Sequence, residues 1–235
     1  MYKITSHMND ALCNRMYKSG VIAVLVIDDV KDAVPLAHAL LEGGVDIMEL
    51  TLRTPAAMDA LHEIKKHVPK MVVGIGTVLT SDQVKQITKL GAAFGVAPGL
   101  NPDVVKTAQK QGLPFSPGIV TPSDIECAIE LGCNVLKYFP AEPAGGLAYL
   151  KSMANPYTHL GLRYVPLGGL NQDNFKAYLE FPSILAVGGS WIAKRDVIQK
   201  KDWKTITYNA KQASKVVKIL RGTKNESRHL WRNHG

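Results

Sequence analysis

A lysine lies in the middle of a short segment whose other residues are typical of a buried strand. The segment runs from Val135 to Phe139, and side-chain alternation places Lys137 on the same face as Val135 and Phe139. An ammonium group among apolar side chains is unfavourable unless it is paired with an anion or loses its proton. A neutral amine in a dry pocket is the nucleophile that a Schiff-base enzyme needs. The alternative is an edge-strand lysine in water, which is the more common situation for a single lysine in a strand.

Other polar side chains stand where strand-like segments end. Glu49 and Arg53 share a face with Ile47, so the alternation predicts that both project inward. The next strand-like segment ends at Thr77. A surface ion pair is the alternative for Glu49 and Arg53, and a helix cap is the alternative for Thr77. The apolar neighbours of Glu49, and a second capping residue at Thr80, favour the inward arrangement.

Paired glycines follow the last two strand-like segments. They are Gly168-Gly169 and Gly188-Gly189, and Ser190 adds a hydroxyl directly after the second pair. Barrel enzymes commonly bind a phosphate group with backbone amides at these two loops. The spacing therefore indicates a phosphate site, although plain turns are the alternative for any glycine in such a position.

These side chains together favour carbonyl chemistry through an imine. Lys137 would attack a ketone, and Glu49 would move protons between nitrogen and the substrate oxygens. Arg53 and Thr77 would hold a neighbouring carboxylate, while Phe139 would exclude water and lower the pKa of the amine. The protonated imine would accept electrons as a carbon–carbon bond breaks. The alternative is an isomerase or decarboxylase of a sugar phosphate, in which Lys137 is a charged electrophile.

The elements that must position these residues recur at intervals of about 20 to 30 residues, which is typical of a β-α repeat. The predicted strands are Val21–Ile27, Asp46–Leu52, Met71–Thr77, Phe94–Pro98, Pro114–Ile119, Asn134–Phe139, Tyr164–Leu167 and Ile184–Val187. The predicted helices are Asp32–Glu42, Ala56–His67, Asp82–Leu90, Pro102–Gln111, Pro122–Leu131, Leu147–Met153, Gln172–Leu179 and Asp202–Leu220. Short apolar strands alternating with helices predict an α/β fold, a closed (β/α)8 TIM barrel, with a doubly wound open sheet as the alternative.

Capping residues support the predicted helix starts. Thr80 and Gln83 have the spacing of a capping box, and Asn101 and Thr121 each precede a proline at a first helical position. A short helix is also predicted within residues 1–20. We expect one domain over residues 1–221, followed by a basic tail, residues 222–235, that is predicted to be disordered.

The net charge of +8 is concentrated at the end of the chain. From Lys194 onward there are 12 Lys and Arg against 3 Asp and Glu, whereas the preceding residues carry 16 against 17. A basic segment on a neutral body is the pattern of a nucleic-acid or anionic-partner module. Because few aromatic residues are interleaved with these charges, a solvated helix face is the favoured interpretation, and no nucleic-acid partner is predicted.

The composition argues against several other classes of protein. The longest apolar run, Val21–Ile27, is too short to cross a membrane, and the first residues lack an apolar signal core, so we expect a cytoplasmic protein without membrane contact. The odd number of cysteines, which form no CxxC pair, argues against a disulfide framework. His62 and His67 are five residues apart rather than the four of a zinc-protease helix, so no metal site is predicted.

A resemblance to a known family rests on five segments in order along residues 10 to 205. They are Glu49–Thr54, Gly76–Leu79, Pro98–Leu100, Leu136–Glu142 and Gly188–Trp191. These segments resemble the 2-keto-3-deoxy-6-phosphogluconate (KDPG) and 4-hydroxy-2-oxoglutarate (KHG) aldolases, class I lyases of the Entner–Doudoroff pathway. The resemblance implies a (β/α)8 barrel, a homotrimer, and cleavage of the phosphorylated keto-deoxy acid to pyruvate and glyceraldehyde 3-phosphate. The hydroxy-oxoglutarate would give pyruvate and glyoxylate, and no metal or organic cofactor is needed.

The resemblance also implies roles for individual residues of this chain. Lys137 is similar to the Schiff-base lysine, and Glu49 to the proton shuttle. The residues similar to substrate-binding positions are Arg53 and Thr77 for the pyruvate carboxylate, Pro98 and Phe139 for the pocket wall, and Gly168, Gly169, Gly189 and Ser190 for the phosphate.

One residue departs from the gluconate-type pattern. Leu167 stands before the paired glycines, where the gluconate-type enzymes have a threonine that contacts the hydroxyl at the carbon where the bond breaks. The galactonate-type relatives have an aliphatic residue at this position. The 6-phosphogalactonate epimer and the unphosphorylated hydroxy-oxoglutarate therefore stay open as substrates.

Overall fold

The structure is a computed structural model that describes residues 8–222 of the chain. The strands in this part are β1 (Val21–Leu25), β2 (Ile47–Thr51), β3 (Val72–Gly76), β4 (Phe94–Val96), β5 (Phe115–Ser116), β6 (Gly118–Ile119), β7 (Val135–Tyr138), β8 (Arg163–Pro166) and β9 (Val187–Gly189). The α-helices are α1 (Asp10–Ser19), α2 (Ala33–Glu42), α3 (Ala57–His67), α4 (Ser81–Lys89), α5 (Pro102–Lys110), α6 (Pro122–Glu130), α7 (Gly146–Ala154), α8 (Phe175–Leu179), α9 (Arg195–Gln199) and α10 (Trp203–Gly222). The predicted disordered tail, apart from Gly222 at the end of α10, lies outside the described residues.

Every strand pair is parallel, which confirms the α/β prediction. Six strands pair in the order β5-β4-β3-β2-β1-β9, and β6, β7 and β8 form a second group. The order follows the sequence without the reversal of a doubly wound sheet, so that alternative is wrong. Only Pro117 separates the two groups at β5 and β6, because proline has no N–H for the ladder. At the other end, Tyr164 of β8 forms a parallel bridge with Ile184, three residues before β9.

The helix starts use the capping residues that the sequence predicts. Thr80 and Gln83 form a capping box at α4, with the Gln83 N–H donating to Thr80 Oγ1 at 3.2 Å. Thr121 forms a second capping box with Asp124, and the Asn101 side chain accepts from the Asp103 N–H. These caps fix where each helix begins and therefore how long each strand-to-helix loop is.

The apolar core has an outer and an inner layer. The outer layer lies between strands and helices, and the inner layer lies on the opposite face of the strands. Helix α1 contributes Cys13 and Met16 to the inner layer, and Met8 precedes it there. Because α1 leads directly into β1, it lies at the amino ends of the parallel strands. The carboxyl ends are left for the loops that carry polar residues.

None of the helices between residues 8 and 222 combines the length and the apolar character needed to cross a lipid bilayer.

Candidate active site

Two oppositely charged side chains meet in the inner layer of the core. Lys137 is on β7 and Glu49 is on β2, and Nζ of the lysine lies 3.2 Å from Oε1 of the glutamate. Their residues are only 6% and 2% exposed, so the pair is withdrawn from solvent. Alternation along each strand directs both side chains to the inner layer, together with Ile47 and Val135.

A glycine on the neighbouring strand makes room for the Glu49 carboxylate. A Cβ atom at Gly76 of β3 would lie 1.9 Å from Oε1 of Glu49, far inside contact distance. This role of Gly76 was not predicted from the sequence. Glycine inside a strand often marks a close approach, and that is the signal that would have found it.

The walls around the pair are mainly apolar. The pocket that contains Lys137 and Glu49 is lined by Met8, Met16, Ile22, Phe94, Val96, Val135, Val165 and Leu167, with Ser116 as a further polar residue. Ser116, which was not predicted as a site residue, donates its hydroxyl to the Val135 carbonyl at 2.9 Å. The Phe139 ring centroid lies 5.3 Å from Lys137 Nζ, within cation–π range. Water is therefore largely replaced by hydrocarbon around the amine.

Tyr138, on the outer face of β7, anchors this strand through a hydrogen bond. Tyr138 is fully buried, and its hydroxyl donates to the Gly146 carbonyl at 3.3 Å. Burial, together with the smaller effects of the neighbouring Tyr149 and Glu142, raises the pKa of Tyr138 to about 12. This hydroxyl keeps its proton, and its hydrogen bond ties the strand that carries Lys137 to the start of α7.

Thr77 directly follows β3 in an unusual backbone conformation. Its φ is +59°, in the left-handed region that β-branched residues rarely occupy. Such strain persists where the surrounding structure determines it and is common at functional sites. Thr77 is partly buried beside the carboxyl end of β3.

Arg53 lies beyond the end of β2, so the alternation that predicts its inward projection does not reach it. Strand β2 ends at Thr51, two residues before Arg53, and the Thr51 hydroxyl donates to the Leu25 carbonyl at 3.0 Å. Arg53 lies in the turn that follows, where its N–H donates to the Thr51 carbonyl at 2.7 Å. The residue is exposed at the carboxyl end of β2 rather than enclosed with Glu49.

The loop after β8, defined here as the glycine loop, consists of Gly168 and Gly169. Both residues have positive φ, +96° and +83°, which explains why glycine is needed at each position. Neither donates its backbone N–H to another group within residues 8–222. Two adjacent free amides at a turn form the kind of concavity that binds an anion.

The remaining predicted residues also lie at the carboxyl ends of strands. Gly189 ends β9, where an added Cβ would meet the Trp191 ring at 1.8 Å, and Ser190 follows it exposed to solvent. Pro98 follows β4 and is partly buried; its carbonyl oxygen lies 2.1 Å from where a Cβ of Gly118 would be. The parallel arrangement therefore collects these residues on the same side of the strands as Thr77 and the glycine loop.

Leu167 forms an apolar wall next to the charged pair. It is 5% exposed and lines the same pocket as Lys137 and Glu49. Its Cγ atom would lie 2.6 Å from a Cβ at Gly188, so this glycine accommodates the leucine. The side chain offers no hydrogen bond to a molecule in the pocket.

The arrangement combines a buried amine, an adjacent proton acceptor and a neighbouring anion-binding loop. A carboxylate within hydrogen-bond distance of an amine is placed to exchange protons with it. An amine in an apolar pocket is also suited to covalent attack on a carbonyl group.

Comparisons with known proteins agree with this chemistry. A family profile described as "Aldolase: KDPG and KHG aldolase" matches residues 12–221. The chain is 41% identical over 200 residues to the 2-dehydro-3-deoxy-phosphogluconate aldolase of Treponema pallidum (strain Nichols), covering 85% of this chain and 94% of that protein.

Two solved structures are similar over most of their length. One is a KDPG aldolase from Legionella pneumophila with pyruvate captured at low pH as a covalent carbinolamine intermediate; it has a TM-score of 0.82 and 35% identity, covering 86% of this chain and 97% of that one. The other is the 2-keto-3-deoxy-6-phosphogluconate aldolase of Zymomonas mobilis ZM4 with 3-phosphoglycerate, with a TM-score of 0.79, 42% identity, and coverage of 88% and 96%.

Proposed function

This chain belongs to the KDPG and KHG aldolase family, and we propose from that premise that it cleaves its keto-acid substrates through an imine on Lys137. It is a carbon–carbon lyase of the class I, Schiff-base type. The substrates are 2-keto-3-deoxy-6-phosphogluconate, which gives pyruvate and glyceraldehyde 3-phosphate, and 4-hydroxy-2-oxoglutarate, which gives pyruvate and glyoxylate. The observation that carries the assignment of the nucleophile is the buried contact of 3.2 Å between Lys137 and Glu49.

The geometry gives each member of the pair a defined task. Glu49 takes a proton from the Lys137 ammonium group, and the resulting amine adds to the ketone carbon. Glu49 gives that proton to the oxygen of the adduct, which forms the carbinolamine, and then transfers a second proton from the nitrogen to the same oxygen. The oxygen leaves as water, and the protonated imine remains. Glu49 then accepts the proton of the substrate hydroxyl at the carbon where the bond breaks. The bonding electrons move into the imine as the aldehyde leaves.

We assign the other residues to two ends of the substrate. Arg53 and Thr77 hold the carboxylate next to the reacting carbon, and Pro98 and Phe139 form the wall beside it. The exposed guanidinium of Arg53 and the fixed conformation of Thr77 at neighbouring strand ends support this assignment.

The opposite end of the substrate carries the phosphate group. We assign Gly168, Gly169, Gly189 and Ser190 to it, since they lie in loops at the carboxyl ends of β8 and β9. The free amides of the glycine loop support this assignment most directly.

We further propose that the two groups of strands form one closed (β/α)8 barrel in a single domain. The short break at Pro117 and the bridge between Tyr164 and Ile184 support closure, because they bring the groups together at both edges. The homotrimer and the cytoplasmic location stay predictions.

The imine is tested by trapping with pyruvate and borohydride. Reduction of the imine should leave a stable mass increase on the peptide that contains Lys137, and on no other lysine peptide. Omitting either pyruvate or borohydride gives the control. Absence of the adduct on folded protein would remove the imine mechanism and favour the isomerase or decarboxylase alternative.

A second candidate substrate is the 6-phosphogalactonate epimer, which the apolar Leu167 wall favours. Replacing Leu167 by threonine adds a hydroxyl that can bond the substrate, and one neutral hydrogen bond is worth about 0.5–1.5 kcal/mol, a factor of about 2 to 13. We expect the ratio of kcat/KM for the 6-phosphogluconate epimer to kcat/KM for the 6-phosphogalactonate epimer to rise by this factor in Leu167→Thr. Leu167→Val is the control, because valine has nearly the same shape as threonine but lacks the hydroxyl. Equal ratios in both variants and the wild type would place the selectivity elsewhere.

A further inference from the structure

A hydrogen-bonded pair outside the pocket connects the loop after the lysine strand to the loop after β8. Glu142 lies four residues beyond the end of β7, and Tyr178 lies on α8, the helix that follows the glycine loop. The Tyr178 hydroxyl donates to Oε1 of Glu142. None of the steps assigned above uses either side chain.

Glu142 touches the glycine loop with both its backbone and its side chain. Its N–H donates to the Gly168 carbonyl at 3.0 Å, next to a bond of 2.7 Å from the Ala141 N–H to the Leu167 carbonyl. An added Cβ at Gly169 would lie 2.6 Å from Cβ and 2.9 Å from Cγ of Glu142. The stem of the glutamate therefore packs directly on the loop whose free amides face the proposed phosphate.

Tyr178 determines where the charged end of Glu142 lies. The tyrosine is 2% exposed, whereas the glutamate is largely exposed, so the buried partner is the rigid one. Burial raises the pKa of Tyr178, and the bond to Glu142 raises it further, so the phenol keeps its proton and acts as the donor. Asn174, one residue before α8, adds a bond from Nδ2 to the Gly169 carbonyl at 3.2 Å.

The position of this carboxylate matters because its charge has the same sign as a phosphate. With its stem on Gly169, the carboxylate turned toward α8 leaves the loop amides free for an anion. A carboxylate released from Tyr178 would be able to swing over the loop and repel the substrate phosphate.

We propose that Glu142 and Tyr178 are positioning residues that keep the glycine loop open to the substrate phosphate, and that they control affinity for phosphorylated substrates without taking part in bond cleavage. This inference rests on the proposed function, which places the phosphate at Gly168 and Gly169. It predicts that the pair discriminates between the two substrate types of the family, of which only one carries a phosphate.

The test replaces Tyr178 by phenylalanine and measures both substrates. We expect KM for the phosphorylated keto-deoxy acid to rise about tenfold, because a hydrogen bond to a charged group is lost. The kcat for both substrates, and KM for 4-hydroxy-2-oxoglutarate, should stay within about twofold, below the effect of one neutral hydrogen bond. Inorganic phosphate should become a correspondingly weaker competitive inhibitor of the phosphorylated substrate.

Tyr164→Phe is the matched control, because Tyr164 is equally buried on β8 and its hydroxyl has no hydrogen-bond partner in the described part of the chain. It should leave the constants for both substrates unchanged. Equal increases of KM for both substrates in Tyr178→Phe, or no increase for either, would overturn the proposal.

Changes at Glu142 separate positioning from general loss of packing. Glu142→Gln keeps the stem and an oxygen that accepts the Tyr178 hydroxyl without the charge, so we expect nearly wild-type constants. Glu142→Ala removes the stem that packs on Gly169 but also the carboxylate that would repel the phosphate, so it should raise KM for the phosphorylated substrate less than Tyr178→Phe does, and leave KM for the other substrate unchanged. Loss of both substrates' activity in Glu142→Ala with an unchanged melting temperature would contradict a positioning role. Pyruvate trapping on Lys137 should persist in every variant, and its failure in the wild type would count against the proposed function itself.

Discussion

Replacing Lys137 by methionine is expected to lower kcat/KM for pyruvate release by about 10⁴-fold or more, as for removal of other enzymatic nucleophiles. Methionine retains an unbranched apolar stem of similar length, so the pocket stays filled while the nitrogen is lost. Pyruvate release, coupled to its reduction, measures the activity, and borohydride trapping should give no adduct at this peptide.

Two further variants show whether the nitrogen acts as a nucleophile or only as a charge. Lys137→Arg keeps a buried cation opposite Glu49, but the guanidinium group of arginine does not form an imine with a ketone. If the arginine variant retained a substantial part of the activity, the charged-electrophile alternative would be favoured over the imine.

The methionine variant also leaves the Glu49 carboxylate without its cation. Removing one partner of a buried ion pair typically destabilises a protein by about 3–5 kcal/mol, so a lower melting temperature is expected. The double variant Lys137→Met/Glu49→Gln removes both charges and should recover part of this loss while staying inactive. An inactive but stable double variant would separate the chemical effect from unfolding.

The order of strands and helices was predictable because its signals are local. Apolar alternation identifies the strands, and residues such as Thr80 and Thr121 mark where helices begin. The break at Pro117 was missed because Pro114–Ile119 was predicted as one continuous strand, although proline cannot complete the ladder. Helix α9 was also missed, since it has five residues and buries only Ile198, too short a span for a helical period.

The site was predictable only as far as side-chain direction follows from alternation. That rule correctly directed Lys137 and Glu49 inward, but their contact depends on how β2 and β7 approach each other across the interior. The rule does not extend to Arg53, because β2 ends at Thr51 and the residues after it no longer alternate. The left-handed conformation of Thr77 is imposed by its surroundings, and a threonine in the sequence gives no sign of it.

Replacing Glu49 by glutamine is expected to lower kcat by about 10²–10⁴-fold, the usual contribution of general acid–base catalysis. Glutamine has nearly the same shape and still accepts a hydrogen bond from Lys137, but it does not take up a proton. Steady-state assays should show the loss in kcat, whereas pyruvate bound at equilibrium should still be trapped on Lys137 after longer incubation. Turnover equal to the wild type would remove Glu49 from the proton-transfer role.

Gly76→Ala tests the role of Glu49 in a second way. It keeps the Glu49 carboxylate but moves it away from its present position. The new Cβ would lie 1.9 Å from Oε1 of Glu49, so the carboxylate must move by an ångström or more away from its present position. A displacement of about 1 Å can cost about 10²-fold in rate, and we expect a loss of this size with trapping retained. Gly99→Ala is the matched control at the same end of the strands, because an added Cβ there meets no atom within 4 Å. If both alanine variants were equally active, the position of the Glu49 carboxylate relative to Lys137 would not be what sets the rate.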